Sequence, residues 1–203
     1  MASQSAAVGT AAGSRSSNVT ASAGSGVFAA VIGYLVTYAL VSGEIRQNVP
    51  DFVAENLAEW KGVAWYFFNA HMVDVETTGS VGSLGGTDTV NFIAESSSSN
   101  ADLLYFVPPL VLLAVGVFLA VRWDVTDFAD AVVVGAPVAI GYTVVLGIGA
   151  IVSEFSVEGS AFGIEASSSF APALVPAVLL GGIIYPLVFA TGGAALTVAV
   201  RER

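Results

Sequence analysis

Few groups in this chain could do chemistry, and two of them recur in matching surroundings. Tyr34 lies in Ile32-Gly33-Tyr34-Leu35-Val36, and Tyr142 in Ile140-Gly141-Tyr142-Thr143-Val144. A hydroxyl inside an apolar run needs a partner because water is not at hand, so Tyr34, Tyr142 and Thr143 are the candidates for a polar path. Glu95 stands just before Ser96, Ser97, Ser98 and Ser99, and Glu165 just before Ser167, Ser168 and Ser169. Two such sets, facing one another, could line an external ion vestibule. The plainer reading is that the serines cap helices beginning near Asp102 and Ala171.

The lone histidine, His71, follows an aromatic stretch and precedes Met72 and Asp74. Zinc and copper sites recruit several His or Cys ligands, so no metal is expected here. A histidine ending a helix and bonding a free carbonyl is the ordinary reading. With no cysteine in the chain, thiolate chemistry and disulfides are excluded. There is no Gly-x-Ser-x-Gly elbow, phosphate loop or dinucleotide fingerprint, so neither an enzyme nor a cofactor is expected.

The elements that must position these groups are four long apolar runs, near 26–43, 103–121, 131–152 and 173–200, free of Asp, Glu, Lys, Arg and His. A membrane-spanning helix takes about 20 apolar residues. Mean hydropathy of +0.80 agrees with that reading. The second members of the two pairs also match, with Val107-Pro108-Pro109-Leu110-Val111-Leu112 against Val175-Pro176-Ala177-Val178-Leu179-Leu180. The expected fold is an all-α transmembrane four-helix bundle made from two tandem hairpin repeats, with a small external cap. Residues 1–25 read as a disordered tail. The first repeat takes 26–121 with an external loop 44–102, and the second takes 122–203 with a loop 153–172. The repeats share one topology, so a pseudo-twofold axis along the membrane normal is expected.

Pro108, Pro109, Pro137, Pro176 and Pro186 are candidate helix breaks, since each removes a backbone donor. Small residues recur every fourth position, at Ala131, Gly135, Ala139, Thr143 and Gly147, and at Gly182, Pro186, Ala190 and Ala194. Such stripes let helices approach closely in lipid.

In the first loop, Val53, Leu57, Trp60, Ala64 and Phe68 recur at helical spacing from Asn48, a cap, to about Met72. Trp60, Trp65 and Tyr66 favour the bilayer interface, so an amphipathic helix is expected on the outer surface or over the mouth of the bundle. Alternation then predicts strands at 73–77 and 89–93, and at 155–158 and 161–164, around Gly/Ser turns. The two pairs can combine into one sheet.

Sixteen acidic residues face six basic ones. That balance excludes nucleic acid as a partner, whose phosphates need Lys and Arg. Arg15, Arg122, Arg201 and Arg203 lie in short segments on one side, which puts both termini in the cytoplasm. Run 26–43 reads as a retained span and not a cleaved leader, because the repeat pairs it with an internal span. With acidic loops, a single lysine and spans such as Gly135-Ala136-Pro137-Val138-Ala139-Ile140-Gly141-Tyr142, the chain resembles the uncharacterised small multi-spanning membrane proteins of haloarchaea. Some of these are loosely described as transporters. The resemblance implies a halophilic membrane protein and carries over no site residue. The expected partners are the lipid bilayer and either further copies of the chain or other membrane subunits. A transporter or channel component is expected ahead of a non-catalytic accessory subunit.

Overall fold

The computed structural model describes residues 2–43, 45, 51–96, 101–161 and 164–202, with the side chains of the first helix described from residue 17 onward. In chain order the elements are α1 (Ala2–Val41), α2 (Asp51–Ala54), α3 (Glu59–Asn69), β1 (Val75–Val81) and β2 (Leu84–Val90). A 3-10 turn (Ala101–Phe106) leads into α4 (Val107–Arg122), followed by α5 (Phe128–Gly135), α6 (Val138–Val152), β3 (Phe155–Ala161) and β4 (Ile164–Pro172). The chain closes with α7 (Leu174–Pro176), a π-helical stretch (Ala177–Ile184) and α8 (Tyr185–Arg201). Among the described residues four helical segments are long and apolar enough to cross a membrane: Ser17–Val41, Ala101–Arg122, Phe128–Val152 and Leu174–Arg201.

These segments bury small side chains and expose large ones, the reverse of a water-soluble bundle. Phe28, Leu110, Phe118, Ile140, Ile148, Val175 and Leu196 are exposed, while Ala29, Ala30, Ala131, Ala190 and Ala194 are buried. Glycines bring the helices into backbone contact. A methyl group at Gly116 would fall on the Ala190 carbonyl, at Gly193 on that of Leu113, and at Gly141 on that of Ala23. Close approach of this kind replaces the hydrophobic drive that lipid cannot supply.

The segments form a ring in which α1 touches α4 and α6, while α8 and the π-helical stretch touch α4, α5 and α6. The first and third segments are therefore neighbours, and so are the second and fourth. A twofold axis along the bundle would set both pairs on diagonals, only one of which can be short. The sheet departs from that axis as well. Its order is β2-β1-β4-β3, all antiparallel, so β1 of the first loop pairs with β4 of the second. A twofold exchanging the hairpins would place β1 against β3, or β2 against β4. The matching sequence cores are thus packed unequally, and the expected symmetry is corrected.

Three further expectations change. Helix α1 extends back to Ala2, through residues read as a disordered tail, and by Ser22 and Ala23 it is packed against α6. The predicted loop helix is two helices, α2 and α3, separated at 55–58. The strands are longer than alternation suggested, and Gly82, at φ 59, makes the first turn. The Asn48 cap and the serines at 97–99 lie outside the described residues.

Candidate functional site

Helix α3 is short and apolar on all sides, the pattern of a helix that is buried. Every residue from Gly62 to Asn69 is buried. It enters the loop end of the bundle as a wedge. Phe67 packs on Gly33 of α1 and Phe68 on Gly149 of α6, where the absence of side chains leaves room for rings. Tyr34 donates to the Trp60 carbonyl at 3.0 Å, and Tyr38 to the Glu59 carboxylate at 2.8 Å. The Lys61 ammonium donates to the Glu154 carbonyl on the far side.

Trp65 and Tyr66 do not meet lipid, contrary to expectation. Trp65 stacks between Phe92 and Phe170, with centroids 5.5 and 5.4 Å away, and its indole N–H donates to the Ser153 carbonyl. Tyr66 lies against Phe92. Trp60, by contrast, is 43 % exposed. Trp65 and Tyr66, read as favouring the bilayer interface, are instead part of the core joining α3 to the sheet, because packing β1 and β4 over α3 covers that face.

Past α3 the chain turns back inside the bundle. Met72 adopts φ 57, and the Val73 amide bonds the Phe68 carbonyl. Asn69 is buried and clamps both sides of this turn. Its amide donates to the Val73 carbonyl at 2.9 Å and its oxygen accepts from the Phe92 N–H at 2.8 Å. The turn drives His71 between α6 and the π-helical stretch, where it is fully buried. His71 Nδ1 lies 2.7 Å from the Phe67 carbonyl, as a helix-ending histidine should, and Nε2 lies 2.7 Å from the Tyr142 hydroxyl. A carbonyl can only accept, so Nδ1 carries the proton. Burial pushes the ring's pKa down to about 4. The neutral ring therefore accepts from Tyr142 at Nε2.

Tyr142 is ten residues inside the loop end of α6, about 15 Å along the helix. The Tyr185 ring stands 5.2 Å from His71, and the histidine Cβ is next to Gly181. The hydroxyl of Thr143 donates to the Gly182 carbonyl at 2.7 Å. That carbonyl lies four residues before Pro186, which has no N–H to offer it, so Thr143 supplies the donor that proline removed. Tyr34 and Tyr142 have separate hydrogen-bond partners and are linked through the touching rings of Phe67 and His71.

The predicted prolines separate into two groups. Pro108 and Pro109 start α4, and Pro176 closes the short α7, all in first turns where a missing donor costs nothing. Pro137 and Pro186 mark the real breaks, between α5 and α6 and between the π-helical stretch and α8. The glutamates do not share a vestibule. Glu95 sits in the turn after β2, beside a cavity of about 300 Å³ near Phe92 and Phe170. Glu165 is at the opposite tip of the sheet, its carbonyl holding the Gly82 N–H. Ser167, Ser168 and Ser169 belong to strand β4 and do not cap a helix; Ser167 bonds Ser80 across the sheet.

Sequence reasoning missed Asn69, Tyr185 and the His71–Tyr142 bond. The available signal was an Asn and a His two residues apart after a run of aromatics, polar groups where a surface helix would not bury them. Among the described residues no cluster of His, Cys, Asp or Glu could hold a metal ion. No curated protein and no solved structure matches the chain. Residues 1–201 match a family of unknown function (DUF7978), and the chain belongs to that family.

Proposed function

We propose that this is an integral membrane protein of the transporter or channel class, whose polar path runs by Tyr142, Thr143 and His71. One observation carries the reading. Apart from Asp102, Arg122, Asp130 and Arg201 at their ends, the spans hold no ionisable side chain but tyrosine, yet the loop delivers His71 into their midst, bonded to Tyr142 and set against a π-helical break. An ionisable group inside a bundle of spans is costly and is characteristically functional. Pi-helical turns and proline breaks recur where solutes bind.

Several finer points support the same picture. The acid-rich, lysine-poor composition supports a halophilic, archaeal habitat, and the distribution of arginines supports cytoplasmic termini. The paired Ile-Gly-Tyr and Val-Pro cores support descent from a duplicated hairpin whose halves later packed differently. The test is solute flux in liposomes at high salt. Tyr142→Phe and Thr143→Val should each reduce flux several-fold, and unchanged flux in both would remove the proposed path.

A second reading has its own observation. The sheet continues beyond α3, and Val81, Leu84 and Val157 line a concave cavity of about 620 Å³ there. An uncovered apolar face supports an accessory subunit that docks a partner. Gentle extraction from native membranes distinguishes the two: other subunits in fixed ratio would favour docking, and the chain alone would favour transport.

A further inference from the structure

We infer that His71 is a proton-sensitive pin, which holds the turn 70–74 inside the bundle while its ring is neutral and releases that turn when the ring is protonated. The pin has two anchor points, the Phe67 carbonyl on Nδ1 and the Tyr142 hydroxyl on Nε2. A proton on Nε2 removes the lone pair that Tyr142 uses, so the hydroxyl can only accept from the ring and loses the acceptor for its own proton. It also adds a charge where nothing answers it. Helix α6 presents Tyr142 and Leu146 to the ring, the last span presents Gly181 and Tyr185, and α3 presents Phe67. The carboxylate of Asp74 is three residues on, but it is exposed and bonded to Asn91.

Asn69 and Met72 make release a local event. Of the two arms of the Asn69 clamp only the one to Val73 belongs to the turn, so the turn can leave while the arm to Phe92 stays and α3 keeps its aromatic contacts with the sheet. The direction of the pH response follows from proton counting. Released, the imidazole titrates near its ordinary value of about 6.5, whereas the buried ring titrates at about 4. Between those values the released form binds more protons, so lowering the pH favours it by about tenfold per pH unit, with no further gain below the lower value. The pin does not require that a solute move, so it stands or falls separately from the transport reading.

The test uses Val73→Cys in the full chain, which has no other cysteine. Val73 is fully buried, while Leu84, 78 % exposed, serves as the site of a reference cysteine that corrects for the pH dependence of the thiol itself. Labelling by a water-soluble maleimide, relative to the Leu84→Cys chain, should rise about tenfold per pH unit from 6.5 toward 4. It should stay flat in the chain that also carries His71→Gln. Tyr142→Phe removes a bond that favours the neutral ring, so it should move the profile upward by on the order of half to one pH unit. A flat parent profile, or an equal slope in the His71→Gln chain, overturns the pin. Should His71→Gln fail to fold, a Tyr142→Phe profile that is unshifted or shifted downward overturns it instead.

Discussion

The two halves of the helix ring use glycine in opposite ways. Toward the termini, Gly116, Gly135, Gly141 and Gly193 meet the backbones of neighbouring helices, and the segments close on one another directly. Toward the loops, Gly33, Gly149 and Gly181 meet Phe67, Phe68 and His71, side chains of an inserted wedge. One half is sealed by the spans themselves and the other is propped apart by a piece of loop. In the sealed half backbone meets backbone, whereas in the propped half the inserted piece meets the spans through side chains.

Removing the centre of the wedge should have the largest effect. Trp65→Ala would leave a cavity between Phe92 and Phe170 and strand the Ser153 carbonyl. A loss of about 3–5 kcal/mol is expected, read as a lowered unfolding midpoint in detergent at high salt. If the loss were under about 1 kcal/mol, the wedge would not be what holds the loop half together.

A single kind of substitution, made once in each half, sharpens the contrast. Gly116→Ala places its methyl group on the Ala190 carbonyl and should cost about 1–3 kcal/mol, since backbone must move. Gly149→Ala places it 3.5 Å from the Phe68 ring, an ordinary contact. There the helix propensity of alanine should prevail and stabilise by roughly 0.5–1 kcal/mol. Paired thermal melts with the same sign for both variants would erase the distinction.

Between the halves, Thr143→Val deletes the donor to the Gly182 carbonyl without changing shape. It should cost about 1–2 kcal/mol, and Thr143→Ser should recover most of that. The smallest effect belongs to the terminal end. Asp124 and Arg201 are 2.7 Å apart, but their side chains are 87 % and 37 % exposed. Asp124→Asn should therefore cost under about 1 kcal/mol, and the difference should vanish at high salt.

Much of the frame was legible in the residues. Uninterrupted apolar length identified four span-like helices, and alternation identified both hairpins and their union in one sheet. The matching cores misled about symmetry, because similar short segments do not dictate which helix faces become neighbours. The site was only half legible. Tyr142, Thr143 and Pro186 were singled out, but their partners are long-range: Tyr142 bonds a histidine 71 positions away, and Thr143 a carbonyl 39 positions away. Periodicity in one dimension carries no record of such pairings. The same limit hid the fate of Trp65, whose preference for interfaces describes a surface helix and not one roofed by strands.

Because β1 takes β4 as its neighbour, the chain cannot finish its cap as it is made. The inner edge of β1 waits for a partner about ninety positions downstream, while β1 and β2 stand as a lone, marginal hairpin. Only after the last hairpin emerges can the sheet close over α3. The sheet therefore acts as an assembly checkpoint, a clasp that fastens the first two spans to the last two and leaves an unprotected strand edge on any chain interrupted before it shuts.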